Sequence, residues 1–167
     1  MRLLAHFSVC AAFIGLVAML VGAQETTKVY VNDEIGFQIE YPSSWEQAKV
    51  KGGNIVVLFT GGAINRNVQV MQEEGGEQEG RARLNKLAKI LPNHRELSGE
   101  WRDVNGRRAY FQTAEWTSLF GANKAIRLMV PAGDHFFLVM AVSPAGEFEK
   151  LRPTLEKCVL SFKIKAE

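Results

Sequence analysis

The stretch 136–142 (FFLVMAV) most constrains what this chain can fold into. Side chains alternate along an extended strand, so Phe136, Leu138, Met140 and Val142 share one face and Phe137, Val139 and Ala141 the other. Both faces are apolar. An antiparallel sheet with one wet face alternates apolar and polar residues, so a strand of this kind needs cover on both sides. Residues 55–60 (IVVLFT) have the same character. The expectation is a sheet held between two further layers.

The segment 36–45, GFQIEYPSSW, predicts a second kind of strand. Phe37, Ile39 and Tyr41 fall on one face and Gln38 and Glu40 on the other, which marks a half-buried strand. Pro42 lacks the N–H that a ladder needs and ends it. Ser43 and Ser44 are expected to bond their own backbone in a turn that swings Trp45 back beneath the strand, making a core corner. Residues 28–31 (KVYV) pair with this strand through the polar joint 32–36 as a hairpin.

A turn at 51–54 (KGGN) precedes the IVVLFT strand, and residues 67–71 (NVQVM) resume with alternation. Residues 73–80 (EEGGEQEG) read as an acidic, glycine-rich loop. From Arg81 the period changes: Leu84, Leu87, Ala88 and Leu91 recur at helical spacing, until Pro92 stops the helix. Residues 96–101 and 107–116 form a hairpin about Asn105 and Gly106, the strongest turn signal in the chain. A loop at 117–121 (TSLFG) leads to strand 124–130, which pairs with 136–142 around 131–134. Phe148, Leu151, Leu155, Cys158, Val159 and Phe162 keep helical spacing to the end, with Pro153 expected to kink that helix or restart it. Together these elements predict an α+β chain: a mainly antiparallel central sheet sandwiched by helices, an α/β/α arrangement.

Residues 1–23 have the pattern of a secretory signal: Arg2, an apolar run from Leu3 to Val21, and small residues before Gln24. Retention as a membrane anchor is the rival reading, and membrane contact is expected only in that case. Cys10 precedes most of the apolar run, so it does not mark a lipidation site. Cleavage before Gln24 leaves one domain, residues 24–167, with 19 basic against 18 acidic side chains. That balance, with basic residues scattered among acids, points away from nucleic acid. Cys158 alone then remains, so no internal disulfide forms in the periplasmic or extracellular compartment that the signal implies.

The order of these segments resembles the PsbP-like family, which includes extrinsic PsbP of the oxygen-evolving photosystem, DcrB-like proteins and Mog proteins. The resemblance is carried by GFQIEYPSSW, by NVQV at 67–70, by VNGRRAYFQTAEW at 104–116 and by VLSFKI at 159–164. It implies an α/β/α sandwich and a mostly non-catalytic role in binding partners, here as a bacterial exported member. Residues 24–27 are short against the extended amino-terminal arm of photosystem PsbP proteins, and the family's metal ligands have no clear counterpart. Neither oxygen evolution nor a metal site is carried over.

The residues themselves carry little chemistry. His94 and His135 adjoin turns, Ser43 and Ser44 sit in no nucleophile elbow, and Cys158 lies on an apolar helix stripe, where a buried inert thiol is expected. Glu73, Glu74, Glu77 and Glu79 lack the ligand ladder of a calcium loop and read as solvated. No catalytic residue, metal or cofactor is expected. The one surface candidate is Leu119 and Phe120, two large apolar residues in a loop between strands. They read as an apolar tip for a protein partner, against the alternative that they fold back over the core. The favoured function is an exported, non-catalytic binding or accessory module at the cell envelope. The alternative is an enzyme or small-ligand binder whose site gathers residues distant in sequence.

Overall fold

The computed structural model describes residues 25–63 and 65–165, so the expected signal segment lies outside the described residues. The elements run β1 (Thr27–Asn32), β2 (Phe37–Pro42), β3 (Glu46–Gln47), β4 (Ile55–Thr60), β5 (Asn67–Glu74), α1 (Glu77–Ile90), β6 (Arg95–Val104), β7 (Arg107–Ser118), β8 (Gly121–Ala132), β9 (His135–Pro144), α2 (Ala145–Leu160) and β10 (Lys163–Ile164). Seven strands form one sheet in the order β3-β4-β5-β9-β8-β7-β6, and β1, β2 and β10 form a second, smaller one. Every pairing is antiparallel.

β9 lies in the middle of the large sheet, and its two apolar faces feed two different cores. Phe137, Val139 and Ala141 join Phe37 and Ile39 of β2, Trp45, Phe59, Ile126 and Leu128, and Phe148, Leu155 and Val159 of α2. Phe136 and Leu138 join Met71, Tyr110, Met129 and Leu84 of α1. The layers are therefore α1, the seven-stranded sheet, and then α2 with the small sheet. The first hairpin is not part of the central sheet. β10 supplies its other partner, at Lys163↔Gln38 and Ile164↔Phe37.

Asn105 and Gly106 form the two-residue turn that their sequence predicts. Both have positive φ, 53° and 79°, the mirror-image geometry that suits the twist of a hairpin. The Asn105 amide also donates to the Leu160 and Phe162 carbonyls, at 3.0 and 2.8 Å, and so ties this turn to the end of α2. The early corner forms as well: the Trp45 N–H donates to the Pro42 carbonyl at 3.0 Å, and the indole is buried. Its serines do not turn on their own backbone. Ser43 bonds Thr26 through backbone and side chain, and Ser44 bonds Glu25, so they pin the chain leading into β1.

Three boundaries differ from the sequence expectation. The acidic stretch is not a loop: Glu73 and Glu74 end β5, opposite Phe136 and His135, and Glu77 opens α1. Glu79 accepts the Gly76 N–H at 2.9 Å, and acids in a first turn complement the helix dipole. α2 runs unbroken through Pro153 but stops at Leu160, which leaves Phe162 in the core outside the helix. The 117–121 loop shrinks to Leu119 and Phe120, because β7 and β8 pair as far as Ser118↔Gly121.

Candidate functional site

The β7–β8 turn projects its two apolar side chains. Leu119 is 99% exposed and Phe120 66% exposed. Beneath them the turn is rigidly built: the Ser118 hydroxyl accepts the Phe120 N–H at 3.1 Å and the Asn123 amide at 3.0 Å, and Asn123 also donates to the Gly121 carbonyl. The tip does not cover the core.

The end of α1 comes alongside. The Thr117 N–H donates to the Pro92 carbonyl at 2.9 Å, and a groove of about 460 Å³ runs between Leu91 and Pro92 on one side and Trp116, Thr117, Ser118 and Leu119 on the other. Only Leu84 of the expected helical stripe is fully buried; Ala88 is exposed, as is Ile90 at 59%. The exposed Ala88 and Ile90 thus leave apolar surface on the last turn of α1, while Leu87 packs against the smaller core.

Behind Trp116 lies a polar cluster that sequence reasoning did not find. Arg127 has no exposed surface, although it sits mid-strand in β8 between Ile126 and Leu128. Its Nη1 donates to the Gln112 carbonyl oxygen at 3.2 Å and approaches His94 Nε2 at 3.1 Å, and its guanidinium carbon stands 5.3 Å from the Trp116 ring centre. Glu96 holds the other end: it accepts the Tyr110 hydroxyl at 2.9 Å and the Gln112 amide at 2.6 Å. That second bond sets which end of the Gln112 amide faces Arg127. Burial brings the Arg127 pKa down to about 10. Burial first, and the Arg127 charge second, hold His94 below the usual imidazole range, so it accepts the Arg127 proton as a neutral ring. Gly99 makes room for the cluster, since a Cβ there would stand 2.1 Å from both the Tyr110 hydroxyl and a Glu96 oxygen. The available signal was register: in KAIRLMV, Arg127 shares a face with Ala125 and Met129, which are both buried.

The two histidines are not brought together. His135 pairs with Asp134 at 3.0 Å, beside a polar groove of about 620 Å³ that Glu73, Glu74 and Gly75 also line. Glu73 there is engaged with Arg83 at 2.7 Å. Among the described residues no group of three or more His, Cys, Asp or Glu side chains is placed to hold a metal, and no helix is long and apolar enough to cross a membrane. Cys158 is buried in the larger core; burial, with Glu40 as a lesser cause, pushes its thiol up to about 12.

No family model matches the sequence, and no curated protein does. Solved structures do match. The solution structure of cyanobacterial PsbP (CyanoP) from Synechocystis sp. PCC 6803 superposes with a TM-score of 0.65 at 15% identity, over 86% of this chain and 95% of that one. The fold is PsbP-like. LpqN of Mycobacterium tuberculosis, described as involved in cell envelope biogenesis, is similar at a TM-score of 0.59 and 11% identity, over 84% and 91% of the two chains. A Pseudomonas aeruginosa protein of unknown function, designated a regulator by name alone, is similar at a TM-score of 0.53 and 14% identity, over 84% and 99% of the two chains.

Proposed function

We propose that this chain is an exported accessory module that binds a protein partner at the cell envelope through Leu119 and Phe120. The carrying observation is that two large apolar side chains stand in solvent on a two-residue turn whose base is fixed by hydrogen bonds. Burying such groups against a partner gains roughly 1.5–3 kcal/mol each, and a fixed turn loses little freedom on binding. The groove lined by Leu91, Pro92 and Trp116 extends the same apolar surface, since Leu119 lines it too. Structural likeness to LpqN supports an envelope setting, and the signal-like residues 1–23 support export, with the mature chain starting at Gln24.

A photo-crosslinking residue at position 120 tests the contact in cells. A discrete protein adduct is expected there and not from the exposed position 51, and equal labelling at both positions would defeat the proposal. The double variant Leu119→Ser/Phe120→Ser should lose the partner while changing stability by no more than about 0.5 kcal/mol, as exposed sites usually do. Intact-mass measurement of exported protein checks the Gln24 terminus.

A further inference from the structure

We propose that Arg127 and the groove beside it form a binding site for an apolar monocarboxylate. The carboxylate takes the Nε–Nη2 edge of the guanidinium, and the apolar body lies along Leu91, Pro92 and Leu119, with Trp116 as the wall between the two. This site goes beyond the partner-binding tip and does not rest on it.

The observations that point there concern which nitrogens are used. Nη1 is occupied by Gln112 and His94. Nε and Nη2 are buried without a partner among the described residues. These two nitrogens share one edge of the guanidinium plane, and that edge offers two parallel N–H groups in the fork that matches a carboxylate. Glu96 does not fill it: its oxygens are drawn toward Tyr110 and Gln112, and neither nitrogen bonds to it. A buried guanidinium that leaves two N–H groups unpaired is costly to fold even with the Glu96 charge close by, and the cost falls when an acceptor arrives.

Position supplies the rest. His94, which touches the guanidinium, is two residues beyond Pro92 of the groove, and Trp116 faces Arg127 while lining that groove. Trp116 is half-buried and stands between the two, so its ring is the group that must rotate for the groove to reach the orphaned edge. An apolar trough opened in this way onto a forked cation would select for one negative charge on an apolar body. Phosphates and dianions would add a second charge next to Glu96, which disfavours them.

Octanoate is the probe, with octanol and octylammonium as matched controls. Calorimetry on the wild-type protein should show saturable octanoate binding and a raised Tm, at least tenfold weaker binding of octanol, and none of octylammonium. Arg127→Met should still melt cooperatively, since an apolar chain of similar length removes the two unpaired N–H groups, and should lose the octanoate response. Arg127→Lys should weaken it at least tenfold, since an ammonium cannot make the two parallel bonds. Independently of any variant, the Arg127 Nε–H resonance should move as octanoate is added. Octanoate that fails to saturate in the millimolar range, octanol that binds equally well, unchanged binding in Arg127→Met, or a stationary Nε–H resonance would each overturn the proposal.

Discussion

On the face of the large sheet that carries α2, rings meet rings: Phe37, Phe137 and Phe162 lie with centroids 5.2–5.8 Å apart, and Tyr41 stacks on Phe59 at 3.9 Å. On the face that carries α1, apolar packing stops partway along the strands. Beyond Met129 and Leu138 the same face holds Arg127, Gln112 and Glu96, with His94 arriving from the loop. The two regions hold together by opposite means, and the polar one reaches solvent at the exposed Glu96. The first is non-directional and tolerates small shifts. The second is a chain of directed bonds in which each group has one permitted orientation, and where a missing partner is felt at once. The larger apolar core thus lies on the α2 side of the sheet, and the network of directed bonds lies on the α1 side.

The largest effect expected from breaking this contrast is Trp45→Ala, which removes a buried indole from the aromatic face. About 3–5 kcal/mol should be lost in denaturant unfolding, with no change in ligand or partner behaviour beyond that. Stability that held while a binding activity vanished would move Trp45 from core to site. Next is Gly99→Ala on the polar face. The Glu96 carboxylate can swing from an added methyl, but the Tyr110 ring sits in packed surroundings and cannot follow freely. A loss of about 1–3 kcal/mol is expected, together with a changed Tyr110 environment in near-UV spectra. The smallest effect is a pH dependence. Because the folded state holds His94 below its ordinary pKa of about 6.5, the unfolded chain takes up a proton there first. The His94 contribution is fully present above about pH 6.5 and is lost as pH falls below it. His94→Gln should flatten the slope of Tm between about pH 6.5 and 5.5. An unaltered slope would mean that the imidazole is not part of the network.

The aromatic face was the legible one. FFLVMAV and GFQIEYPSSW state their burial in residue type alone, and Asn105 with Gly106 states its turn, because in each case local chemistry and tertiary demand agree. The polar face was not legible for the converse reason. Arg127 is a surface residue by type, and it is buried only because β7 and β9 flank it with Gln112 and Met140. Pairings of that kind are set by the whole sheet and not by neighbours in the chain. The start of α1 failed for a smaller reason: glycines and acids suggest a loop when read as composition, but at a helix entry the acids are stabilising. Leu119 and Phe120 were found as candidates because apolar residues in a turn contradict their surroundings, and the structure places both in solvent.

Cys158 has a consequence for any cell in which the protein is exported. A thiolate is the species that attacks disulfides and electrophiles, and this thiol is both sealed in the larger core and kept protonated at neutral pH. It is silent while the chain is folded and reactive whenever the core opens. The residue therefore behaves as a tamper seal: at neutral pH, the rate at which a thiol reagent marks Cys158 counts openings of the core, one molecule at a time, without any label having to be introduced.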